Sequence, residues 1–590
     1  MINYDEHLNE EQLNAHNYEG NVLLIACPGS GKTRTLTYRI VKELHKNINN
    51  KKHVVAITYT NRAAEEIIER IESLGIITDR LWIGTIHSFC LEWILRPYGI
   101  YLDELKYGFS IIPPHESERI IKDLCSSYKE IKLSHFDCGY YINCEKIIVN
   151  HYDLKKREHI HNIISLYHDT LLAQRKVDFE KILHYSYILI SKFNGIALNL
   201  SKLFSLILVD EYQDTREIQY EILSLIFKAG SGSTNGFFVG DPNQSIYTSL
   251  GGYPITLTDL NHASNMEFKQ LYLSINHRSF ERIIDFYSKF KVFDSKILPH
   301  PDKLGGGKVY YSSQTQHTDL AYQFGRILNE MIDVLKIPQN EICIISPQWM
   351  PLASITRQLT ALFPQYLFDG PGMVPFAKDI ENFWYKVSRV ILTEPSPELY
   401  TRRLRWAKEI LDHLQRCNIK MTINNKDLLY MMNSFSIQES SGMSFIKKGF
   451  EHFLEKLKIK VSEHDELKLH YDCFFDSSKE RIDRMVKDGI ENPDDLFFFR
   501  KAFKPREGIA VSTIHGVKGA EYECVIAYGL IEGMVPFFAD NDPLISAKKS
   551  LYVLSSRAKN HLFLFSEKRN GKSPTQVLHQ YLFAYDKYCD

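Results

Sequence analysis

The chain has 590 residues, 24% of them charged, and 71 Lys and Arg against 72 Asp and Glu leave a formal net charge of -1 at pH 7. That length outgrows one hydrophobic core and predicts about three to five domains. The charge balance excludes a globally basic coat for nucleic acid and leaves only a local groove. The polar N-terminus MINYDEHLNE and the lack of a long apolar run predict neither export nor membrane insertion, and ten cysteines without a C-x-x-C pair predict reduced thiols in a cytoplasm.

NVLLIA (21–26) is a short apolar run, followed at once by a Pro-Gly-Ser-Gly turn and then by the helical pattern TRTLTYRIVKEL. Strand, glycine turn and helix in that order form a phosphate grip. Pro28, Gly29, Ser30, Gly31, Lys32 and Thr33 make up the loop. Backbone N–H groups from Gly29 to Thr33 are expected on the β-phosphate, Lys32 on the β- and γ-oxygens, and the Thr33 hydroxyl on Mg²⁺. HVVAITYT (53–60) leads into the helix NRAAEEIIERIESLG, and IGTIHSFC (83–90) ends a third segment. LFSLILVD (203–210) reads as an apolar strand ending in Asp210, which suits the Mg²⁺ shell, with Glu211 next as general base. GFFVGDPNQSIY (236–247) and QLYLSINHRS (270–279) hold further strands. Such runs alternating with helical patterns predict an α/β fold with a parallel, doubly wound sheet, whose ligands sit at the C-terminal strand ends.

These segments, in this order, resemble the UvrD/Rep-type helicases of superfamily 1. LNEEQLNA (8–15) resembles the adenine-reading Q motif, with Gln12 as its glutamine, and Ala26 suits that family's loop. AITYTNRAAEEIIERI, GTIHSFC, VDEYQDT, GDPNQSIY and SINHRS resemble motifs Ia, Ib, II, III and IV, and REGIAVSTIHGVKGAEYE (506–523) and LYVLSSRAKNHL (551–562) resemble motifs V and VI.

The resemblance implies two RecA-like P-loop lobes with parallel sheets, each interrupted by a mainly helical accessory insertion. Lobe 1 is expected over 1–92 and 201–277 around an insertion at 93–200, and lobe 2 over 278–387 and 504–590 around one at 388–503. ATP and Mg²⁺ are the implied cofactors. Lys32, Asp210, Glu211 and Gln244 would work from the first lobe, and Arg278 and Arg557 would meet the γ-phosphate as arginine fingers. Gln12 and the pair Arg34 and His277 would hold the adenine, and Glu521 the ribose. Thr58, Tyr59, Thr60, Asn61, His87, Tyr247, Thr513 and His515 would line a single-stranded DNA track by phosphate contact and base stacking.

The implied activity is ATP-driven 3′→5′ translocation on single-stranded or tailed duplex DNA, in repair or anti-phage defence. After QSIY the family carries an aromatic residue and an arginine, where this chain has Ser249 and Leu250. That departure keeps a second expectation open: a nucleotide- and DNA-sensing ATPase that regulates a partner nuclease with little unwinding of its own. The short second insertion further resembles the helicase-like subunit of Gabija-type anti-phage systems. That implies a hetero-oligomer with a nuclease of the overcoming-lysogenization-defect (OLD) type, although no motif separates it from a free-standing repair helicase. The chain's end soon after motif VI predicts no fused nuclease. The cluster RRLRWAK (402–408) reads as either a solvated helix face or a DNA contact.

Overall fold

A computed structural model describes residues 7–47, 51–144, 146–151, 153–370, 374–487, 490–504, 507–537, 540, 542–569, 571–579 and 585–586. The chain divides into two compact units, Met1–His317 with Ile514–Asp590, and Thr318–Thr513.

In the first unit, helix α1 (Glu10–Asn17) precedes β1 (Asn21–Ala26) and α2 (Lys32–Lys46). The strands β2 (His53–Thr58), β3 (Leu81–Thr85), β4 (Phe204–Asp210), β5 (Asn235–Gly240) and β6 (Phe268–Leu273) complete a six-stranded parallel sheet, ordered β6-β1-β5-β4-β2-β3. Central parallel strands are covered on both faces and so read as unbroken apolar runs. Every residue of β4 is buried. Leu206 and Leu208 enter a core with Val22, Leu24 and Ile40, whereas Ile207 and Val209 enter another with Leu23, Val55 and Ile57. The loops after β1, β4 and β5 leave the same edge of the sheet, so the letters that read as phosphate loop, acidic pair and Gln244 converge there.

Between β3 and β4 run the helices Leu154–Ala173, Phe179–Lys192 and Asn194–Leu203. The helix-patterned segment LLAQRKVDFEKILHYSYILISKF forms two helices with a break between them. Arg175 turns into the left-handed region at φ 53°, Lys176–Val177 pairs with Ser110–Ile111, and Asp178 restarts the helix by accepting from the Lys181 N–H at 2.8 Å. Three further parallel strands, Lys308–Ser312, Tyr522–Ala527 and Ala558–Phe565, have the last of them in the middle. The helix Pro543–Ser555 delivers Arg557.

In the second unit, Ile342–Ser346 and Phe368–Asp369 flank Ile509–Thr513 in parallel. A helical body follows, in which Phe383–Leu392, Tyr400–Arg416, Gly442–Leu457 and Asp465–Lys487 pack around Trp384, Phe450 and Phe474. Within RRLRWAK, Arg403 and Trp406 are buried, and the Arg403 guanidinium donates to the Val390 carbonyl at 3.0 Å. That face of the cluster is packed, not solvated. Among the described residues no helix is long and apolar enough to cross a membrane.

Candidate nucleotide site and ring cluster

The glycine loop is pinned from two sides. The Cys27 N–H donates to the Leu273 carbonyl at 3.0 Å, and the His277 N–H donates to the Gly29 carbonyl at 2.9 Å. Gly29 and Gly31 take φ of 69° and 79°, a region open to glycine at no steric cost. A Cβ on Gly29 would sit 2.5 Å from the Arg278 Cβ, and one on Gly31 would sit 2.5 Å from Gln12 Nε2. Lys32, the first residue of α2, donates to the Ala26 carbonyl at 3.3 Å. Thr33 and Arg34 follow it on the first turn, and Arg34 donates to the His7 carbonyl at 3.4 Å.

Gln12 is buried and used at both ends. Its Oε1 accepts from the Asn9 N–H at 3.0 Å, closing a capping box on α1, and its Nε2 donates to the Ser30 carbonyl at 2.9 Å. Glu11, beside it, accepts from the Ser274 N–H and hydroxyl at 2.6 and 2.5 Å, tying α1 to the segment that carries His277. His277 lies 4.7 Å from His300 between ring centroids, and burial together with the charges of His300 and Arg34 lowers its pKa.

Asp210 ends β4, and Glu211 sits at φ 53°, a left-handed position unusual for a residue with a side chain. Burial, then the Glu211 charge, pushes the Asp210 carboxyl up to about 7. Burial opposes ionisation of Glu211 as well, yet the Lys32 and Lys518 ammonium groups hold its pKa below the usual value. The Gln213 amide donates to Glu211 Oε2 at 2.5 Å. Gln244 is buried, with its Nε2 donating to Asp241 Oδ2 at 2.9 Å.

Two arginines complete the pocket. Arg278 donates from Nε to Glu521 Oε2 at 2.6 Å and from Nη1 to the Ser556 carbonyl at 3.1 Å, while Lys559 reaches Glu521 at 3.7 Å. Arg557 is only 2% exposed. Its guanidinium donates to Gln244 Oε1 at 2.8 Å, Ser556 Oγ at 2.9 Å and the carbonyls of Val553 and Ala520 at 3.0 and 3.3 Å. All of those acceptors are uncharged, and burial lowers its pKa to about 10. The Glu211 and Glu521 carboxylates pull in the opposite direction, so the guanidinium keeps its charge.

Beside the acidic pair lies a ring cluster. Tyr59 and Tyr247 are 4.7 Å apart between centroids and tilted 30°, and Tyr247 and His515 are 5.1 Å apart. Tyr59 remains 41% exposed. Thr60 caps the helix that begins at Asn61, and the Thr58 hydroxyl donates to the Thr60 carbonyl at 2.9 Å. Thr58, Tyr59, His87 and Tyr247 share with Asp210 and Glu211 the lining of a cavity of about 260 Å³. Burial lowers the His87 pKa to about 3, and its Nε2 has no hydrogen-bond partner among the described residues. Leu250 is half exposed, and the side chain of Ser249 lies outside the described residues. Thr513 ends the strand Ile509–Thr513 and belongs to the second compact unit.

Four partners in this constellation were not singled out as site residues from the letters: Gln213, Asp241, Lys518 and Tyr552. Each lies inside a quoted motif. Lys518 pairs with Asp214, whose side chain is fully buried, donates to the Gln244 carbonyl at 2.9 Å and stands 5.3 Å over the Tyr247 ring. The Tyr552 hydroxyl donates to Asp241 at 3.0 Å.

Comparison with known proteins agrees with this architecture. The UvrD/REP helicase N-terminal domain matches residues 8–264 and the UvrD-like helicase C-terminal domain matches residues 499–569. A probable DNA helicase II homolog of Mycoplasma genitalium is 25% identical over 608 residues, covering 94% of this chain and 84% of the relative. An ATP-dependent DNA helicase PcrA of Leuconostoc citreum is 24% identical, covering 92% and 80% respectively. The PcrA of Staphylococcus epidermidis is 29% identical over 341 residues, 55% of this chain and 46% of the relative. The two domain matches together span more than half the chain, and with an α/β fold built on parallel sheets beneath them, this protein belongs to the UvrD/REP helicase family.

Proposed function

We propose that the protein is an ATP-dependent DNA helicase of the kind that serves DNA repair, moving 3′→5′ on the strand it grips. The observation that carries this reading is Arg557, a buried guanidinium held by uncharged acceptors and joined to Gln244. It is a ready receptor for the charge that grows on a transferred phosphoryl group. The residues present fit ATP and Mg²⁺: two positive-φ glycines leave backbone room for phosphates, and Thr33 and Asp210 offer oxygen ligands for the metal. Mg²⁺, when bound, neutralises charge on the β- and γ-oxygens.

In this reading Lys32 binds the phosphates, Glu211 accepts the proton of the attacking water, and Gln244 orients that water. Arg557 and Arg278 stabilise the phosphoryl group as it leaves. Arg278 must leave Glu521 to do so, which frees that carboxylate for the ribose. Tyr59, Tyr247 and His515 stack on bases, with Thr58, Thr60, Asn61 and His87 assigned to the same track by their motifs.

The test is the steady-state ATPase rate with and without a single-stranded oligonucleotide, together with displacement of a labelled strand from 3′-tailed and 5′-tailed duplexes. Stimulation by DNA that is lost in Lys32→Ala, with unwinding of the 3′-tailed duplex alone, is expected. Half-exposed Leu250, where a cation would reach the strand, motivates the second reading, a sensor that regulates a partner nuclease. DNA-stimulated hydrolysis without displacement of either duplex would select it.

A further inference from the structure

Gln213 is fully buried, and each end of its amide is committed to a different motif. Its Nε2 donates to Glu211 Oε2 at 2.5 Å, and its Oε1 accepts from the Asp241 N–H at 3.0 Å. These two bonds fix which way the amide faces, because a backbone N–H can only donate. Gly240 makes the approach possible: a Cβ there would lie 2.1 Å from Gln213 Oε1. The Asp241 carboxylate then accepts from the Gln244 amide at 2.9 Å, the Tyr552 hydroxyl at 3.0 Å and the Asn243 N–H at 3.0 Å. Gln244 Oε1 in turn accepts from Arg557 at 2.8 Å. An unbroken hydrogen-bonded chain thus runs from half-buried Glu211 through buried Gln213, Asp241, Gln244 and Arg557.

We propose that Gln213 is a positioning residue: its amide aims the Glu211 carboxylate and registers it, through Asp241 and Gln244, against Arg557. The inference rests on the reading of Glu211 as general base. Two features require such a device. Glu211 occupies a left-handed backbone position that its own side chain disfavours, so its direction must be imposed by neighbours. A carboxylate also has two equivalent oxygens, and anchoring Oε2 leaves Oε1 to face the water. Buried polar chains of this kind act as a unit, so loss of one member is felt at the others. A base and a finger held on one chain share one alignment, whereas separate supports would let each drift by the fraction of an ångström that costs rate.

The test is a double-mutant cycle on the full-length protein with saturating single-stranded DNA. Gln213→Met, which keeps length and burial but removes both hydrogen bonds, is expected to lower kcat for ATP hydrolysis by about ten- to a hundredfold while leaving KM for ATP and the affinity for ADP within about twofold. In a Glu211→Gln background the same substitution is expected to change kcat by less than about twofold, because its target is already gone. Gln213→Leu, which also lacks both polar atoms, serves the same cycle if the methionine variant does not fold. A purely structural role would lower ADP affinity together with kcat, or cost the same factor in both backgrounds, and either result overturns the proposal. Wild-type kcat in Glu211→Gln alone would instead overturn the general-base reading beneath it.

Discussion

At the scale of single residues, the site is governed by buried groups whose direction several partners fix at once. Arg557 holds its plane with donors to Gln244, Ser556, Val553 and Ala520, a fork that an ammonium cannot reproduce. Arg557→Ala is therefore expected to lower kcat by about 10²–10³, and Arg557→Lys by nearly as much, in an ATPase assay with DNA present. Gly31 supplies a second case. Its φ of 79° strains any other residue, and its neighbour Gln12 would have to retreat from Ser30. Gly31→Ala is expected to weaken ATP and ADP binding about tenfold or more, measured by displacement of a fluorescent nucleotide, with the fold intact by circular dichroism. Residue identity was legible from the letters wherever chemistry selects a residue type, as at Lys32 or Asp210. Partnership was not, because Gln213 and Asp241, or Asp241 and Tyr552, meet across 28 and 311 positions of chain and no local pattern encodes that pairing.

At the scale of elements, the strands were the most legible feature. An apolar run buried on both faces must be a central parallel strand, and NVLLIA, HVVAIT and FSLILVD form β1, β2 and β4 accordingly. Helix continuity was less legible: apolar spacing persists through LLAQRKVDFEKILHY, yet a left-handed Arg175 and the Asp178 cap interrupt it, and both are local backbone events that periodicity does not register. The same scale explains why the ring cluster and the acidic pair are joined. Lys518, in the turn after Ile514, is buried against Asp214 and also touches the Gln244 carbonyl and the Tyr247 face. Removing one partner of such a pair strands the other charge in the interior, which costs about 3–5 kcal/mol. Lys518→Met is expected to lower the unfolding free energy measured in urea by that amount, and adding Asp214→Leu to restore most of it. The double variant is expected to keep hydrolysing ATP with a smaller stimulation by DNA, because the only cation under Tyr247 among the described residues is gone.

For the whole molecule, acid response is written into buried and half-buried histidines in both compact units. In the first, His168 is packed in the insertion against the Tyr140 hydroxyl at 2.9 Å, and burial, with the charges of Lys181 and two neighbouring histidines, lowers its pKa to about 3. In the second, His470 accepts from the Phe383 N–H at 3.1 Å, and burial and the His413 charge lower its pKa to about 4. Its neighbour His413 is also lowered, with Nδ1 facing the Lys386 ammonium at 3.1 Å and Nε2 facing Glu466 at 3.1 Å. An ammonium can only donate, so Nδ1 accepts and Nε2 carries the proton toward the carboxylate. That arrangement satisfies the group of His413, Cys417 and Glu466 without an ion. A histidine whose folded pKa lies below its unfolded value binds fewer protons in the native state. Stability is complete above the unfolded value near 6.5 and falls as pH drops toward the folded pKa. The loss reaches about 2 kcal/mol per histidine at pH 5, from 1.36 kcal/mol for each pH unit below 6.5. Urea unfolding followed at pH 7.5 and pH 5 is expected to show that drop in each unit. His470→Gln is expected to remove about 2 kcal/mol of the second unit's drop and to leave the share of His413, because a glutamine can keep the acceptor for the Phe383 N–H and has no proton to gain. A drop left undiminished by both His470→Gln and His168→Gln would assign the acid response to other groups, His87 among them.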